Sequence, residues 1–168
     1  MTPAEAFVAL LGERHRTLDL VMSDVSSEML VFEPSGNVLP IGSIYAHSVG
    51  LEDLYIQQIL QQRSLVWSSE DWAARLGHAL PPNQWNVERV IPPDMDALRA
   101  YQSAVFSGSL SYAASLAADD LDRQLTFPGR QWSMSIAQLL GVVVAHTLGH
   151  AGEIAALKGL QGARGLPF

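Results

Sequence analysis

His146-Thr147-Leu148-Gly149-His150-Ala151-Gly152-Glu153-Ile154 lies inside the segment that decides the fold, which runs from about Ser135 to Gln161. Ser135 with Gln138 reads as a capping box at its start. Gly162 reads as its C-terminal stop. Val142-Val143-Val144 favours a strand by propensity, but the flanking helical pattern and the length of the segment outvote it. The middle is apolar nearly all round, which predicts the most buried helix of the protein. His146 and His150 stand four residues apart, a turn of about 400°, so both rings lie on one face. Gly149 and Gly152 each cost roughly 1 kcal/mol against alanine in a helix, and they let another backbone or a ligand come close.

Three further helices read outward from this one. A third helix starts after Pro92-Pro93, near Asp94, and runs to about Ala118, with Leu98, Tyr101, Val105, Leu110, Tyr112 and Leu116 as its stripe and Gly108 as its weak point. Between it and the last helix, Thr126 to Met134 contains Pro128-Gly129 and suits a small hairpin or extended segment. A second helix runs from about Ile41 to Gln62, with Ile44, Leu51, Leu54, Tyr55 and Ile59 apolar. The connection from Ser64 to Pro93 is long for a bundle; it holds one expected short helix, Ser69 to Leu76. A first helix runs from about Pro3 to Val25, with Thr2 as cap and Pro3 at the first position. Its stripe is Phe7, Leu10, Leu11, Leu18, Val21 and Met22, and Glu33 to Asn37 is turn chemistry. Four long helices without a convincing strand pattern predict an all-α, four-helix bundle in a single domain, residues 1–168.

Composition narrows the function. The chain is 48% hydrophobic and 16% charged, enough apolar material for a core and the opposite of a disordered composition. No uninterrupted apolar run reaches the ~20 residues of a membrane span, and the N-terminus shows no signal-peptide pattern. A cytoplasmic protein is the expectation. Net charge is −7, and Lys158 is the only lysine among scattered basic residues. Neither nucleic acid nor an anionic membrane is an expected partner. The absence of cysteine excludes disulfides, thiolate ligands and cysteine nucleophiles. Any metal must be held by His, Asp or Glu.

His47 follows Ile44 by three and precedes Leu51 by four, so it takes a core-facing slot on the second helix. A buried ring needs a partner. His47, His146 and His150 converging on one ion would satisfy all three. Three separate histidines bonded to backbone or tyrosine is the other reading, and the residues alone leave both open. Three imidazoles would leave an open coordination position, as in catalytic sites, and suit zinc, nickel, iron or copper. Glu153 shares the face of His146 and His150. It could orient a ligand, accept a proton or ligate, although an ordinary surface glutamate is the commoner case. Glu52 and Asp53 are placed away from His47. His15, between Arg14 and Arg16, reads as solvated, and His78 as a surface-loop residue. Trp67, Trp72 and Trp85 read as core anchors with a pocket mouth as the alternative.

The motifs Ile41-Gly42-Ser43-Ile44-Tyr45-Ala46-His47 and His146 to Ile154, with the tail Gly159-Leu160-Gln161-Gly162, resemble the DinB/YfiT-like superfamily of metal-binding four-helix bundles. The resemblance covers essentially the whole chain. It implies up-down-down-up topology, a homodimer, and a nickel or zinc ion on a histidine triad that falls on His47, His146 and His150. Glu153 departs from the glutamine often found there. Some members are S-transferases or isomerases acting with low-molecular-weight thiols such as bacillithiol or mycothiol. Two functions follow as expectations. One is a metal-dependent thiol S-transferase or hydrolase-type enzyme with a small-molecule substrate. The other is a non-enzymatic, metal-stabilised dimer of structural or stress-response role, which an exposed apolar face on the first or third helix would favour.

Overall fold

The structure, a computed structural model, describes residues 1–78, 81, 94–126 and 133–166. Helix α1 (Pro3–Met22) starts as its sequence predicts. The Thr2 hydroxyl accepts from the Glu5 N–H, and the Glu5 carboxylate accepts from the Thr2 N–H. It ends at Met22, before the expected Val25, because Ser26 caps a separate short helix, α2 (Ser27–Val31). Helix α3 (Ile41–Asp53) continues into a π-helical segment, Leu54–Leu60, so the second long helix changes its winding part-way.

The expected helix at Ser69 to Leu76 is instead two single turns, α4 (Val66–Ser69) and α5 (Trp72–Arg75). The cause is Asp53. Its carboxylate accepts from the Val66 and Trp67 N–H groups at 2.9 and 3.1 Å, fixing the chain one turn earlier than local pattern suggests. The Tyr101 hydroxyl donates to the same carboxylate at 2.6 Å. Trp67 and Trp72 are buried and pack on Tyr101, so both anchor the core. Trp85 lies outside the described residues.

Helix α6 (Met95–Ser115) is capped by Asp94, which accepts from the Ala97 N–H. Its Gly108 has a packing reason: a Cβ there would stand 2.5 Å from Nε2 of the buried Gln57. A 3-10 turn (Ala118–Asp122) leads to strands β1 (Gln124–Thr126) and β2 (Ser133–Ser135), which pair antiparallel, Leu125 opposite Met134; most of the segment expected to be extended, with its Pro128-Gly129, lies outside the described residues. Helix α7 (Ile136–Leu160) follows with the Ser135/Gln138 capping box in place.

Around the bundle the order is α1, α6, α3, α7, each packing on its two neighbours. Residue pairs set the directions. His15 meets Phe106 and Asp19 meets Gln102, so α1 and α6 run oppositely. Arg14 meets Val143 and Lys158 meets Val21, so α1 and α7 run together. The core has two parts, one around Leu18, Ile44, Leu98 and Ile154, the other around Leu11, Ile56, Leu140 and Val143.

Helix α7 departs from expectation. It is a corner of the ring, so one half of its circumference packs inward and the other half faces out. Ala145, Gly149, Gly152 and Ala156 are exposed, with Val142, Leu148 and Leu160 at 39%, 43% and 72%. Length and composition alone would let α7 cross a membrane, yet its inner stripe of Leu139, Leu140, Val143, Ile154 and Leu157 is the spine of the core.

Candidate metal centre

His47 reaches the α3–α7 seam because Ile44 and the rest of its face are drawn into the core. His146 and His150 sit on the edge of α7's buried stripe, next to Val143, Thr147 and Ala151. All three rings are half-buried. The ring centroids are 5.2 Å (His47–His146), 5.3 Å (His47–His150) and 4.3 Å (His146–His150) apart. One ligating atom from each lies within 4.8 Å of the others. Three nitrogens on one ion at about 2.1 Å stand roughly 3–4 Å apart, a closure that small ring rotations supply.

The donor atoms fit a cation. His150 Nδ1 donates to Glu153 Oε2 at 2.5 Å, which leaves its Nε2 as a lone pair, 3.0 Å from His146 Nε2. His47 Nδ1 is buried and has no hydrogen-bond partner among the described residues. A buried ring with an unpaired nitrogen in a cluster of three imidazoles calls for an explanation, and a shared cation is one. Burial is the first cause that lowers both His47, to about 4, and His146, to about 3, and the neighbouring imidazoles add to it. Neutral rings with free lone pairs are the form a metal requires.

Glu153 is thereby placed: it touches His150 rather than the space between the rings, and its side chain is largely exposed. A carboxylate on the far nitrogen of a ligating histidine orients the ring and raises its basicity. Glu153→Ala should weaken metal affinity by about 10- to 100-fold without loss of fold. Competition titration against a chromogenic chelator reads this directly, and unchanged affinity would remove Glu153 from the site.

Behind the triad lies a buried charge cluster that sequence reading missed. Arg14 is buried, donates from Nη1 to the Val143 carbonyl at 2.9 Å and to Thr147 Oγ1 at 2.5 Å, and forms an ion pair with buried Glu52. His15 Nε2 donates to Glu52 Oε1 at 3.0 Å, and its ring stacks on Phe106 at 3.4 Å. His15 is therefore buried, against the expectation of solvation: the Glu52 carboxylate and the Phe106 face draw it inward. Burial alone would raise the Glu52 carboxyl, but the Arg14 charge and the His15 hydrogen bond outweigh it and hold it low. Glu52 is thus engaged by Arg14 and His15. The signal was present in the spacing Leu11, Arg14, Leu18, which puts Arg14 on the core face of α1. His78, in the connection after α5, lies outside the triad.

The sequence model of the DinB superfamily matches residues 9–154, a span that takes in all three histidines and Glu153. The chain belongs to the DinB superfamily. Solved structures carry the same fold. A conserved protein from Enterococcus faecalis superposes with a TM-score of 0.80 at 16% identity, over 95% of this chain and 97% of that one. YjoA from Bacillus subtilis, described as DinB-like, gives 0.67 at 14% identity, over 97% and 96%. No curated protein matches by sequence. The all-α expectation and the DinB resemblance therefore both hold for this chain.

Proposed function

We propose that this DinB-superfamily chain holds one divalent ion, nickel or zinc, on His47, His146 and His150, and acts in the cytoplasm as a transferase for a low-molecular-weight thiol. The observation that carries the reading is the convergence of one ring nitrogen from each of His47, His146 and His150 to within 4.8 Å of one another. Such an ion, when bound, lowers the pKa of a coordinated thiol or water. The chain's own residues do the rest. The three rings fix the ion at the α3–α7 seam, Glu153 locks the tautomer of His150, and the half-exposed position leaves the outer side of the site open to a small substrate. Hydrolysis is the variant in which water takes the place of the thiol.

The test is a thermal-shift screen of metal-loaded and chelator-stripped protein with bacillithiol and mycothiol. A ligand at 100 times its Kd stabilises the native state by about 2.7 kcal/mol. The loaded protein should respond and the stripped protein should not. No response from the loaded form would count against the thiol.

The second reading, a non-enzymatic dimer, is favoured by one observation: the outer face of α7 is exposed and apolar. This is the fourth long helix, not the first or third. Small residues there let a second α7 approach closely, and the absence of charge along most of the face avoids like-charge repulsion in a symmetric pair. Light scattering should give a dimer for the wild type and a monomer for Ala145→Glu. A monomeric wild type would sink the dimer while leaving the metal reading untouched.

A further inference from the structure

A groove lies across the bundle from the histidines. Helices α1 and α6 leave a groove of about 780 Å³ between them, with Tyr45 of α3 at its floor. Its charges come in both signs: Arg16 and Asp19 from α1, Arg99 from α6. Asp19 does not hang free. The Gln102 amide, itself buried, donates to its Oδ1 at 2.5 Å and holds the carboxylate at the groove wall. Tyr45 is 1% exposed, and its hydroxyl has no hydrogen-bond partner among the described residues; burial, with the Asp19 charge adding and the Arg99 charge opposing, holds its proton on. A phenol at the wall of a groove is then a ready donor to a polar ligand atom. Phe106 adds a rigid apolar wall, fixed by its stack on His15.

The charge pattern selects the ligand class. Arg16 donates from Nε and Nη2 to both Glu13 carboxylate oxygens, whereas Arg99 is only loosely paired, 3.8 Å from Asp96. A simple anion entering the groove meets Asp19, and a simple cation meets Arg99. A molecule with both charged groups on one carbon meets neither penalty. We propose that the α1–α6 groove binds a small zwitterion, an α-amino acid with an apolar side chain. Its ammonium would sit at Asp19, its carboxylate at Arg99 with the Tyr45 hydroxyl donating, and its side chain on Phe106. The site does not depend on the metal or on the thiol reading.

The test uses protein stripped with EDTA, because an amino acid could otherwise chelate an ion at the triad. L-phenylalanine, 3-phenylpropanoate and phenethylamine are titrated in turn, followed by the methyl resonance of Met22, which lines the groove. L-phenylalanine should saturate with a Kd near or below about 1 mM, at least about tenfold tighter than either analogue. Asp19→Asn and Arg99→Gln, each exposed enough to leave the fold intact by circular dichroism, should weaken it by at least about fivefold. His150→Ala should leave binding unchanged. No saturation by about 20 mM, either analogue binding as tightly as L-phenylalanine, or loss of binding in His150→Ala would overturn the proposal.

Discussion

Glu52→Ala is expected to destabilise the protein by about 3–5 kcal/mol, the usual cost of removing one partner from a buried ion pair. The size follows from what stays behind. Arg14 would remain buried, its charge uncompensated, with only the neutral acceptors Val143 O, Thr147 Oγ1 and His15 Nε2 beside it. His15 Nε2 would lose its Glu52 partner in the same step. For a chain of this length the change corresponds to a fall in Tm of roughly 10 °C or more. Urea unfolding of the variant measures it. The double variant Arg14→Met/Glu52→Met should recover much of the loss, because an apolar pair of similar volume leaves no orphaned charge. A loss below about 1 kcal/mol in the single variant would mean that Arg14 escapes to solvent and the pair is not a buried one.

The second large effect concerns the metal. His47→Leu should lower zinc affinity by at least about 100-fold, since losing a ligand costs no less than losing a residue that orients one. The same substitution should leave the metal-free protein as stable as the wild type, or more so. It replaces a buried nitrogen that has no partner with an apolar group of similar volume. A histidine kept for structure gives the opposite result: the metal-free form would lose stability and zinc affinity would not change. Chemical denaturation with and without zinc separates the two, because only a bound ligand raises stability by mass action.

Only part of the triad was legible from local geometry: His146 and His150 share a helix face by spacing alone. That His47 joins them rested on the family resemblance, because spacing could not say which helix its face would meet. The Arg14–Glu52 pair was not legible. Charged residues are expected at the surface, and only tertiary packing brings α1 and α3 together so that each charge finds the other. His15 was misread for the same reason. The split into α4 and α5 depends on the Asp53 carboxylate, a cap delivered from a different helix. Helix α7 shows a further ambiguity: an apolar circumference is the same in sequence whether it is buried by its own chain or faces outward.

One ion shared by His47, His146 and His150 is seen most directly by anomalous diffraction from crystals grown with zinc, collected on both sides of the zinc edge. One strong peak per chain is expected, about 2.0–2.1 Å from a ring nitrogen of each of the three histidines. A peak elsewhere, or full zinc occupancy with His47 turned away from it, would rule out the shared site.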